Sequence, residues 1–133
     1  MEGFAGALLG ALLGSIGTYF TIRFNYHHLY AETVSQSRNK WLNEMRENIS
    51  IMLAEARRFP RSDKYFTARN QVLLRLNTSE KLHALLKEQI QMLDDCDCKT
   101  LSAIEPLIIQ NASLILKPEW ERVKKEAKGE KNG

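Results

Sequence analysis

At 133 residues, 44% hydrophobic and 26% charged, the chain has the make-up of a folded protein rather than a disordered one. A net charge of +3 does not mark a dedicated nucleic-acid binder, and two cysteines, Cys96 and Cys98, exclude a disulfide framework. No P-loop, G-x-S-x-G or H-E-x-x-H pattern occurs, so the chain is not expected to be an enzyme, and no cofactor is expected.

The first element is Phe4 to Ile22, FAGALLGALLGSIGTYFTI, which carries no charge. About 19 residues at 1.5 Å each match a hydrocarbon core of roughly 30 Å. Gly3, Gly6, Gly10, Gly14 and Gly17 fall within about 80° of helix circumference, with Thr21 beside them. Leu8, Leu9, Leu12, Leu13 and Ile16 occupy the opposite side. Glycine weakens a helix, and in lipid the compensation is close approach of another helix backbone. Gly6-xxx-Gly10-xxx-Gly14 forms two overlapping GxxxG motifs and resembles the glycine zippers of channel and pore-forming membrane proteins. The alternative is a plain anchor whose glycines touch nothing. Met1-Glu2-Gly3 lacks the basic start of a cleaved signal peptide, so the span is expected to be retained. Arg23, Arg38 and Lys40 follow it, which by the positive-inside rule places the C-terminal part in the cytoplasm. The sequons at Asn48, Asn77 and Asn111 then have no meaning.

A junction of Phe24, Tyr26, His27, His28 and Tyr30 suits the headgroup level. The two histidines read as interfacial polar groups or, in an assembly, as pH-sensitive residues of a vestibule. From Ala31 to Phe59 nothing breaks a helix, and Val34, Trp41, Met45, Ile49, Met52, Ala56 and Phe59 give it one apolar face, ended by Pro60. Ser62 or Asp63 caps the next helix. Asn77 and Glu80 have the form of a capping box ahead of Leu82, Leu85, Leu86, Ile90 and Leu93. That helix frays at Asp94–Cys98, and another is expected to start at Ser102 with Pro106 in its first turn and a kink or restart at Pro118. The fold class is therefore all-α: one transmembrane helix (1–23), a long juxtamembrane amphipathic helix (24–60), a cytoplasmic helical bundle (61–128) and a flexible tail (129–133).

Two clusters invite chemistry. Asp94, Asp95, Cys96, Asp97 and Cys98 are the best metal candidate, weighed against a polar helix end. Arg57, Arg58, Arg61, Lys64 and Arg69, with Arg75, stand among Phe59, Tyr65 and Phe66 against a single acid, Asp63. Guanidinium forks grip phosphate and aromatic rings stack on bases, so a nucleotide or a short nucleic-acid signal is one reading. Pairing with the acidic stretch Glu88–Glu105 is a second, and anionic lipid a third. His83, on a leucine-rich helix, reads as a packed or surface residue.

The segments Arg38–Arg46 (RNKWLNEMR), Leu74–Asn77 (LRLN) and Leu116–Lys124 (LKPEWERVK) resemble those of small bacterial and prophage membrane proteins that pair one N-terminal span with a helical domain. Asn77-Thr78 departs from the Asn-Pro form of that pattern. The resemblance implies an anti-phage membrane effector, in which a nucleotide-type signal or a neighbouring-gene protein controls membrane damage. The expectation is a homo-oligomer acting as a gated ion channel or membrane-disrupting effector. Gly6, Gly10 and Gly14 would set helix contact, Trp41, Met45 and Trp120 would hold the soluble assembly, and the basic cluster would receive the signal. The alternative is a non-conducting anchor that recruits a partner protein.

Overall fold

The computed structural model describes residues 2–129; Met1 and most of the tail expected at 129–133 lie outside the described residues. Four helices and no strand make up the described chain: α1 (Glu2–Ala56), α2 (Asp63–Arg75), α3 (Lys81–Asp94) and α4 (Cys98–Ala127). The all-α class and the long apolar N-terminal helix both hold. Contacts divide the chain between Gln36 and Ser37, inside α1 and inside the segment read as juxtamembrane. The first unit is helix alone, whereas the second joins the rest of α1 to α2, α3 and α4.

The second unit has one apolar core. Leu42, Met45, Ile49, Met52, Leu53 and Ala56 recur on α1 at helical spacing and are buried. They meet Tyr65, Ala68 and Val72 of α2, Leu86, Ile90 and Leu93 of α3, and Leu101 through Val123 of α4. Met45, expected to hold an assembly of chains, is fully buried in this intramolecular core; Trp41 and Trp120 pack at its edge.

The helix ends follow capping chemistry, with three departures from expectation. α1 ends at Ala56 rather than Phe59, because Arg57–Pro60 form a turn in which Arg58 N–H donates to the Glu55 carbonyl at 3.1 Å. Ser62 caps α2 as expected: its Oγ accepts from Tyr65 N at 3.2 Å and donates to Glu55 Oε2 at 3.1 Å. The Asn77–Glu80 capping box does not form. Asn77 Oδ1 is engaged by Ser79, and the Asn77 N–H donates to His83 Nδ1 at 2.9 Å, so α3 starts at Lys81 without a side-chain cap.

The third departure is larger. α4 starts at Cys98, where the Asp97 carboxylate accepts from Thr100 N at 2.8 Å, and runs unbroken through Pro106 and Pro118. A restart at Ser102 would leave Leu101 outside the helix that packs it beside Ile104 in the core, so burial outweighs the proline penalty. Pro106 is itself exposed. Pro106→Ala should therefore restore the missing bond to Ser102 and raise stability by about 1–2 kcal/mol, less than the intrinsic propensity difference because proline also restricts the unfolded chain. Thermal unfolding followed by circular dichroism checks this; an unchanged or lower midpoint would show that the turn has already adapted to the ring.

Candidate functional site

In the first unit the chemistry is that of a surface. Every residue from Gly3 to Thr33 is exposed, including Leu9 at 61% and Leu13 at 69%. By length and composition this helix is apolar enough to cross a membrane. Its hydroxyls are satisfied within the helix: Ser15 donates to the Ala11 carbonyl, Thr18 to Gly14 and Thr21 to Gly17, at 2.8–2.9 Å. These three hydroxyls therefore do not oppose a hydrocarbon environment. A methyl group added at Gly3, Gly6, Gly10, Gly14 or Gly17 would meet nothing within 4 Å. Alanine at each position would improve helix propensity by about 0.8–1 kcal/mol, so no contact among the described residues accounts for these glycines.

In the second unit the basic cluster divides. Arg69 is bidentate on Asp94, Nε to Oδ1 at 2.8 Å and Nη2 to Oδ2 at 2.6 Å, and Tyr65 Oη donates to the same Oδ1 at 2.7 Å. Burial, followed by the Asp94 hydrogen bond, pushes the Tyr65 phenol well above its usual range. Arg61 serves backbone carbonyls: Nη1 binds Ala56 O and Arg58 O, and Nη2 binds Leu93 O at 3.0 Å and Cys96 O at 3.3 Å. Arg57 pairs with Glu105 at 3.0 Å while its side chain stays 67% exposed. Among the described residues, Arg58 and Lys64 are exposed and make no ion pair.

No protein-family model, curated protein or solved structure matches this chain.

The Asp94–Cys98 segment is distributed among separate tasks. Asp94 holds Tyr65 and Arg69; Asp97 caps α4, its carboxyl held below the usual range by the Thr100 backbone N–H; Cys96 Sγ is buried against Leu93 O at 3.4 Å. Among the described residues no three His, Cys, Asp or Glu side chains converge as metal ligands. His83 is 12% exposed at its side chain, accepting from Asn77 through Nδ1, with Nε2 3.5 Å from Glu80. A pocket of about 330 Å³ lies beside Arg61, between Phe59 and Leu101. A groove of about 430 Å³ runs between α1 and α4, with Arg57 and Glu105 in its wall.

Two pairs of the second unit escaped the sequence reading. Arg38 binds Glu126, and Arg75 binds Glu44 at 2.6 Å, which lowers the Glu44 carboxyl. Both join residues distant in sequence, and no local spacing signals them. Arg46 and Lys124 both lie over the Trp120 ring, at 5.2 and 5.4 Å from its centre.

Proposed function

We propose that the chain is a single-span protein of the bacterial inner membrane that self-associates through Gly6, Gly10 and Gly14 and lets ions across, with its helical domain in the cytoplasm controlling the assembly. The observation that carries this reading is the exposed apolar helix whose glycine face meets nothing among the described residues. Left in water, each exposed Leu or Ile forgoes about 1.5–3 kcal/mol of burial, and lipid together with other copies supplies it. The resemblance to anti-phage membrane proteins supports a defence setting. Arg58 and Lys64 are the cations best placed for a nucleotide-type signal, since Arg57, Arg61 and Arg69 already have partners. That internal use favours the second reading, a non-conducting anchor that recruits a partner protein.

Membrane potential, followed by dye in bacteria expressing the native chain or its Gly10→Leu form, tests the proposal. The native chain should depolarise the cell, and the variant should not, because leucine holds the helices apart. Depolarisation by both defeats the glycine contact. Silence from both, with each chain recovered in the membrane fraction, favours the anchor or a channel held shut by a missing partner, and adding the neighbouring-gene protein separates these two. For an anchor, partner binding would survive deletion of the span.

A further inference from the structure

The helical domain leaves an apolar surface uncovered along α3 and α4. On α3, Leu85 and Met92 are 42% and 61% exposed; on α4, Leu107 and Leu114 are 49% and 50% exposed. Asn111 Nδ2 donates to Gln89 Oε1 at 2.8 Å across the seam between these helices. Leu85 and Met92 stand four before and three after Gln89, and Leu107 and Leu114 stand four before and three after Asn111. Residues at those spacings share a helix face. The seam therefore carries four large apolar side chains around one polar pair, the layout of a helix–helix contact whose register a central polar group fixes.

We propose that this α3–α4 face is a contact between two copies of the chain, related by a two-fold axis through the Gln89–Asn111 pair. The pair is self-complementary: among the described residues, the Gln89 amide NH₂ and the Asn111 carbonyl oxygen have no hydrogen-bond partner. A two-fold axis sets each copy's Gln89 donor against the other copy's Asn111 acceptor, reciprocally. The rims agree in charge. Glu88, three after Leu85 and four before Met92, borders the α3 side, and Lys117, three after Leu114, borders the α4 side. Both are exposed, and among the described residues neither is in an ion pair. The same axis brings the Glu88 rim of one copy to the Lys117 rim of the other, twice. Two helices from each copy then form a four-helix contact. It joins domain to domain and is separate from the glycine face of the span.

The test is the mass of the full chain in mild detergent across a concentration series. The native chain should dimerise or assemble in multiples of two. Leu107→Glu with Leu114→Glu should weaken the step roughly 100-fold or more, because the axis doubles both losses, whereas Leu74→Glu, at an 80% exposed position on α2, should leave it unchanged. Glu88→Lys or Lys117→Glu alone should weaken it about ten-fold, and the two together should restore it, a rescue that a folding defect cannot imitate. A native chain that stays monomeric overturns the proposal and leaves the face to a different protein. So does a Leu107/Leu114 variant that keeps native helicity and native mass, or a charge reversal without rescue. Gly10→Leu in the same assay separates the two contacts: loss of assembly there alone supports the span contact and overturns this one.

Discussion

Asp94→Ala is expected to destabilise the helical domain by about 3 kcal/mol. One carboxylate accepts from Tyr65, whose side chain is fully buried, and from two nitrogens of Arg69, which is 20% exposed at its side chain. Removing it leaves a buried hydroxyl without an acceptor, costing about 1–3 kcal/mol, and a half-sequestered guanidinium without a counter-charge. The residual exposure of the pair holds the total at the low end of the 3–5 kcal/mol of a fully buried one. Asp94→Asn keeps an acceptor and should lose about half as much. Chemical unfolding of the full chain in detergent measures both, and a midpoint unmoved by Asp94→Ala would mean that the three groups do not act together.

The same network predicts an alkaline limit. The Tyr65 pKa is raised in the folded state, by burial first and the Asp94 bond second. A group raised on folding contributes stability that is complete below its unfolded pKa, about 10 for tyrosine, and is lost as pH climbs beyond it. Stability should fall by about 1.4 kcal/mol per pH unit above 10 on account of this one phenol. Tyr65→Phe should flatten that fall while losing about 1 kcal/mol at neutral pH. An equally steep fall in the Phe variant would assign the effect elsewhere.

Arg61→Ala should cost about 2–3 kcal/mol. The terminal carbonyls of a helix have no partner within it, and a cation placed there is favoured by the helix dipole as well. Arg61 does this for two helices at once: Ala56 O closes α1, while Leu93 O and Cys96 O lie at the end of α3. Its guanidinium also lies over the Tyr65 ring at 5.4 Å. A lysine ammonium is a single point and cannot bridge both ends, so Arg61→Lys should recover less than half of the loss. Full recovery by lysine would reduce the interaction to charge alone.

What could be read from the chain alone follows from the range of each signal. The apolar N-terminal helix, the Ser62 cap and the apolar stripe as far as Ala56 are local patterns that stand where periodicity and side-chain chemistry put them, whereas Phe59, read as the end of that stripe, is exposed. Asn77 and Glu80 had the right spacing for a box, but Ser79 and His83 compete for the same groups. Pro106 suited the first turn of a helix starting at Ser102, a start that the burial of Leu101 overrules, and burial is a property of the whole domain. The basic cluster was legible as a cluster and not as a set of partners. Asp94, a frayed helix end in the linear reading, is instead the hub for Tyr65 and Arg69.

The order of the core along the chain sets a timetable for its making. Leu42 to Ala56 leave the ribosome early, whereas the α4 residues that cover them run from Leu101 to Val123. At about 10 residues per second, that apolar stripe waits some 7 s for its last partner. Arg61 likewise emerges before the Leu93 and Cys96 carbonyls that it fastens. The nascent stripe must be shielded through this interval. A chain truncated before α4 should be a substrate for chaperones and proteases rather than a smaller folded domain.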